Sequence, residues 1–397
     1  MIRRILPTSA ALLALATPAL AQSGDPVRLG LMFGLTGPIE SLAATMAASA
    51  RLAVDEVNAA GGILDGRMVE TLEADTGCID NDLATSGAER LIGEGVSGLV
   101  GPDCSGVTGA VLQNVAVPNG MALISPSAVS PGLGAMEDRG LFFRTAPSAA
   151  REGQVMTEML GERGIGSVAL TYTNNDYGKG LADSFQTAFE AAGGTVTTAL
   201  AHEDGKGDYS AEVATLDAAG GDVLVVAGYL DQGGLGIIRA ATDTDAFDTF
   251  MLPGGMVGDS LTDALGDVLD GSFGQIAGTQ GEGVTRFHAL AEAGGVDGTS
   301  TYAPESYDAA ALMLLAMAQA GSAAPADYAP MIEDVANAPG EVILPGELGR
   351  ALEIIAAGGE IDYAGASSVE LINGGESAGS YREIEVTGGK METVRYR

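Results

Sequence analysis

From Val27 onward, short apolar or β-branched runs alternate with longer Ala-rich stretches whose apolar residues recur at helical spacing. The run 27–33 predicts a first strand, and 42–59 predicts a helix that Gly61-Gly62 terminates. Strands at 68–74, 98–101, 121–125 and 141–144 follow, with helices at 80–93 and from Ser105. After Pro147 the pattern restarts: strands at 168–172, 195–200, 223–227 and 250–252 are separated by helices near 178–192, 209–218 and 231–241. A long helix at 307–320 and a Gly-punctuated, strand-rich tail at 361–394 complete the chain. Strands regularly separated by amphipathic helices predict α/β units on parallel sheets, and two sets in series predict two lobes with a cleft between them. The expected division is 25–145 plus 276–360 for lobe 1 and 146–275 plus 361–397 for lobe 2, with three crossings near 145, 275 and 360.

The start of the chain departs from this pattern. Arg3 and Arg4 precede an apolar stretch from Ile5 to Leu20 that ends Ala19-Leu20-Ala21, so residues 1–21 read as a signal peptide cleaved before Gln22. The expected product is an exported, periplasmic protein with no lipid-bearing cysteine at its new N-terminus. A formal net charge of −34 repels phosphate backbones and argues against a nucleic-acid partner. Cys78 and Cys104 are the only two thiols in a chain bound for an oxidising compartment, so a single disulfide between them is expected.

Motifs for catalysis are missing. No Gly-x-Ser-x-Gly stands at a strand-to-helix elbow, the one such string at 375–379 falling in the strand-rich tail, and Gly178-Lys179 is followed by Gly180 where a phosphate loop needs Ser or Thr. His202 and His288, the only imidazoles, fall in segments that read as surface, so neither an enzyme nor a metal or cofactor site is expected. More informative is the stretch 98–108, GLVGPDCSGVT, a buried strand running through a Gly-Pro turn into a helix. Its helix start offers N–H groups and the Ser105 hydroxyl to a carboxylate. Alternatively, Ser105 or Asp103 simply caps the helix. A second strand end, 124–131, carries Ser127, Ala128 and Ser130 where the chain leaves the sheet.

Several blocks in order along the chain carry a resemblance: Leu35-Thr36-Gly37-Pro38, Asn58-Ala59-Ala60-Gly61-Gly62-Ile63, the two cysteines, Ser125-Pro126-Ser127-Ala128, Asp176-Tyr177-Gly178-Lys179-Gly180 and Ser306-Tyr307-Asp308-Ala309-Ala310. The chain resembles the periplasmic leucine/isoleucine/valine-type amino-acid-binding proteins of ABC transporters. That resemblance implies a type I periplasmic binding protein fold, two Rossmann-like lobes with parallel sheets joined by a hinge of three crossings. It places a ligand carboxylate at Ser105 and Ala128, aromatic walls at Tyr177 and Tyr229, and Leu42 where such proteins often carry a Tyr.

Three departures stand out. Val129 replaces a Thr that usually contacts the ligand head group, with Ser130 beside it. Pro253-Gly254-Gly255-Met256 lacks the acid that usually holds the ligand ammonium. Asp103 stands where an apolar residue is common, and is expected to face the cleft and pair with a cationic or polar ligand group. The implied function is a monomeric carrier, without cofactor, that closes on an amino acid and presents it to an inner-membrane ABC permease. Alternatives are a non-amino-acid carboxylate or amide as ligand, or a sensory protein of the same fold.

Overall fold

A computed structural model describes residues 24–397, so the segment read as a signal peptide lies outside the described residues. Strands β1 (Val27–Phe33), β2 (Val69–Asp75), β3 (Gly98–Val100), β4 (Leu123–Ser125) and β5 (Phe142–Arg144) form a parallel sheet in the order β2-β1-β3-β4-β5. Strands β3 and β4 inside the sheet and β5 at its edge are buried at every residue, as expected where helices cover both faces.

A second sheet repeats the arrangement. Strands β6 (Ser167–Thr173), β7 (Thr195–His202), β8 (Val223–Ala227), β9 (Phe250–Leu252) and β10 (Phe273–Ala277) lie parallel in the order β7-β6-β8-β9-β10. Strands β11 (Glu341–Ile343) and β12 (Ile361–Tyr363) pair with each other, as do β13 (Leu371–Ile372) and β14 (Glu376–Ser377). Finally β15 (Tyr381–Thr387) joins β10 antiparallel and β16 (Lys390–Tyr396) extends that edge. In both sheets the strand order reverses beside the first strand, between β1 and β3 and between β6 and β8. Ligands bind outside the carboxyl ends of strands at such switch points.

The helix Ala303–Ala320 packs along Glu40–Ala59 and belongs with the first sheet. Its Asp308 is buried and accepts from the Tyr363 hydroxyl at 2.7 Å and from the N–H groups of Ala366 and Ser367 at 2.8 and 2.7 Å. These bonds correct the expected third crossing. Residues 361–367 stay with lobe 1, and the chain returns to the second sheet only between Ser377 and Tyr381. The cause is long-range pairing: β12 finds its partner in β11, not in the large sheet. The other two passages follow Arg144 and Ala277.

Across the cleft the lobes touch. Pro38 C=O accepts from Asp231 N–H at 3.2 Å, and Asp231 Oδ2 accepts from Ser41 N–H at 3.0 Å. Ser41 lies in the first turn of Glu40–Ala59, whose N-cap residue Ile39 supplies no side-chain acceptor. The carboxylate from lobe 2 therefore satisfies a helix-start donor of lobe 1.

Candidate ligand-binding site

β3 ends at a turn that only glycine fits, because Gly101 has φ +97° and a Cβ there would lie 2.1 Å from Met32 O. The chain is then delivered over the end of β1. Asp103 Oδ2 accepts from Gly34 N–H at 2.7 Å, while Oδ1 accepts from the Thr76 hydroxyl at 3.2 Å and Cys104 N–H at 3.0 Å. One carboxylate thus joins the loops that follow β1, β2 and β3. Burial pushes its pKa up to about 6, against the opposing pull of these donors. Cys78 and Cys104 form the expected disulfide across the same region. The loop it closes contributes about 3 kcal/mol in the chain-entropy model.

Ser105 opens the helix that follows, and its hydroxyl accepts from Ser130 N–H at 3.1 Å. Ser127 donates its hydroxyl to Asp103 C=O at 2.9 Å. On the opposite lobe Asn175 caps the helix Asp176–Ala191 by accepting from Gly178 N–H at 3.0 Å, which sets Tyr177 in the first turn. Tyr177 stacks on Tyr229 with centroids 5.1 Å apart, and its oxygen accepts from Gly255 N–H at 3.1 Å. Burial raises both phenols above the usual range, so they stay protonated donors.

Ile39, Leu42, Asp103, Cys104, Ser105 and Ser127 face Tyr177, Tyr229, Gly255 and Tyr302 around one partly open space of about 30 Å³. Six of the eight residues singled out from sequence therefore meet: Leu42, Asp103, Ser105, Ser127, Tyr177 and Tyr229. Ala128 and Ser130 do not line it. Ala128 N–H already donates to Ser125 Oγ at 3.0 Å, and Ser130 Oγ accepts from Gly132 N–H at 3.3 Å. Both also accept, through their carbonyls, from Nη1 of the buried Arg144, at 3.2 and 2.9 Å, and they form the support behind the wall. Asp103 reaches the wall, yet both its oxygens are engaged within lobe 1.

His202 corrects another expectation. It is buried, with Nδ1 2.8 Å from Thr171 Oγ1 and its ring edge-on to Tyr209, and burial pushes its pKa down to about 4. It lies at the end of β7 and is not part of the pocket.

Sequence reasoning missed Tyr302, Gly255 and Ile39 on the wall and Glu152 behind it. Tyr302 holds φ +60° at the start of Ala303–Ala320, a conformation costly for a bulky side chain. Glu152, on the helix Ala149–Glu162, is 2% exposed, and its Oε1 accepts from Gly254 N–H and from Gln275 Nε2, each at 3.0 Å. Burial holds its pKa above the usual carboxylate range.

Two α/β lobes that close polar and aromatic walls on a shared space define the class of two-lobed solute-binding proteins. The chain belongs to the periplasmic binding protein family, whose model matches residues 26–349. A Leu/Ile/Val-binding protein homologue of Brucella melitensis is 32% identical over 212 residues, 53% of this chain and 56% of the relative. The chain thus spans about half the length of that relative. A substrate-binding protein of a chemotactic signal transduction system from Halobacterium salinarum is 28% identical over 94% of this chain and 89% of its own. Among solved structures, the branched-chain amino acid transporter substrate-binding protein of Streptococcus pneumoniae, in complex with isoleucine, aligns with TM-score 0.75 and 23% identity over 94% of this chain and 99% of that one. A solute-binding protein from R. palustris in complex with benzoate aligns with TM-score 0.73 and 18% identity over 94% and 96%. No helix among the described residues is long and apolar enough to cross a membrane.

Proposed function

We propose that this chain is the exported binding component of an ABC importer, closing two lobes around one small amino acid without transforming it. The observation that carries the reading is the convergence of Ser105 and Ser127 from one lobe with stacked Tyr177 and Tyr229 from the other. Ser105 and Ser127 would orient the ligand carboxylate at a helix start, and the phenols would cover its aliphatic part. Closing the lobes excludes water and strengthens each polar contact. The closed form, a monomer whose single chain completes the site, would then dock on an inner-membrane permease.

Mass spectrometry of the small molecule that co-purifies, with calorimetry against Leu, Val, Arg, Gln and a set of simple carboxylates, tests the reading. A saturable response to amino acids is expected. A response confined to compounds without an amino group overturns it in favour of a carboxylate carrier, which the missing acid at Gly254 and the benzoate-bound neighbour support. The Halobacterium relative supports a receptor as an alternative docking partner, and capture of this chain by its own permease rather than by a receptor separates the two.

A further inference from the structure

Gly254, next to the wall residue Gly255, carries no side chain, and its N–H donates to the buried carboxylate of Glu152 at 3.0 Å. Building on the amino-acid reading above, we propose that Glu152, on the helix Ala149–Glu162 and beside the wall residues Gly255 and Tyr302, is the anchor of the ligand ammonium.

Position is the first argument. A Cβ on Gly254 would lie 2.7 Å from Tyr302 Oη, 2.9 Å from Ile276 Cδ1 and 3.5 Å from Glu152 Oε1. A phenol of the pocket wall, an Ile276 methyl and the Glu152 carboxylate therefore fill the direction in which a side chain at 254 would project, and Glu152 lies next to Tyr302. Gly254 also adjoins Gly255, which lines the pocket and bonds Tyr177.

Charge is the second argument. Both hydrogen bonds to Glu152 come from neutral donors and both fall on Oε1. Among the described residues no Lys, Arg or His forms an ion pair with Glu152, and the phenols of Tyr177, Tyr302 and Tyr381 lie near it. A buried carboxylate without a positive partner is costly, and a ligand ammonium would offset that cost. Gln275 adds a further acceptor, because its Oε1 is buried without a hydrogen-bond partner. An ammonium brings three donors, enough for Glu152, Gln275 and a phenol oxygen.

Asp103, another acid near the cleft, already takes three donors from its own lobe. Asp231, which crosses the cleft, is likewise engaged, by Ser41 N–H and the Ser260 hydroxyl, whereas the donors to Glu152 fall on one oxygen alone. Glu152 would make the protein select α-amino acids over the same acids lacking the amine.

Calorimetric titration of the full mature chain with L-leucine and isocaproate, and with L-valine and isovalerate, tests this. Glu152→Gln keeps an acceptor for Gly254 N–H and the side-chain shape but removes the charge. It is expected to weaken the amino acids by about ten- to a hundred-fold, the value of a charge-assisted hydrogen bond, and to leave the deaminated acids unchanged. Equal weakening of both ligand types, or no weakening of either, overturns the anchor while wild-type preference for the amino acids still upholds the amino-acid reading. Wild-type binding of isocaproate or isovalerate but of neither amino acid overturns both.

Discussion

The two walls of the cleft solve opposite problems with the same functional group. On lobe 1, Asp103 is fully engaged: three donors converge on it, a disulfide lies beside it, and Arg144 fixes the carbonyls of the segment behind. On lobe 2, Glu152 is equally buried but meets only two neutral donors. The first carboxylate is spent on architecture and holds its wall in shape with or without a guest. The second keeps electrostatic demand in reserve, which a ligand can satisfy. Preorganisation and recognition are thus divided between the lobes, and a buried acid reveals its role through its partners more than through its depth.

Removing the support of the rigid wall gives the largest effect. Arg144→Ala deletes the donor to Ala128 and Ser130 and leaves Glu376 without its 2.7 Å partner. A loss of about 3 to 5 kcal/mol in urea unfolding is expected for breaking such a buried pair. A loss below about 1 kcal/mol, the range of surface pairs, would place the rigidity of lobe 1 elsewhere.

Asp103→Asn probes the contrast more finely. The amide turns donors toward donors, so about 1 kcal/mol of stability is expected to go at pH 7, with the preference for amino acids over deaminated acids unchanged. Because the folded-state pKa is raised from 3.8 to about 6, the folded protein holds the proton more tightly than the unfolded chain. Stability from this group is complete below the lower value and is lost as pH rises through the upper one. The variant should lack that slope in a series of melts across the window. Loss of amine selectivity in this variant would instead return Asp103 to the role of ligand anchor.

The smallest effect belongs to the contact between the walls. Asp231→Ala removes the acceptor for Ser41 N–H without touching the pocket lining. Ligand affinity should fall about five-fold, the value of a helix cap, with the unfolding midpoint of each lobe nearly unchanged. An unaltered dissociation constant would show that closure does not draw on this bond.

How much of this was legible in the sequence depends on the range of the interactions involved. β1, β8 and β9 were readable to the residue because each is a short apolar run with turn residues at its ends. β10, of similar length but containing Gly274 and Gln275, gave no such signal. The placement of β12 depended on pairing with a strand some twenty residues earlier, which no local pattern encodes.

The site divides in the same way. Ser105, Ser127 and Tyr177 follow strand ends or open helices, where sequence position and ligand access coincide. Ala128 and Ser130 neighbour the true wall residue, and a turn has no period by which to choose among them. Glu152 resembles any polar residue of an amphipathic helix, and only the glycine at 254, a hundred residues away, makes it significant. Tyr302 depends on a left-handed backbone within a run of small polar residues, where no periodicity points.

The size of the space between the walls has a consequence for timing. The walls as they stand leave about 30 Å³, room for roughly two waters, so an amino acid enters only once they have moved apart. Every exchange must wait for the lobes to part. Residence time then follows the opening rate of the protein more than the chemistry of the individual solute, and ligands of unequal affinity would differ chiefly in how readily they let the lobes shut. The molecule would work as a clock as well as a clasp, set by the hinge and read out as a shared dissociation rate.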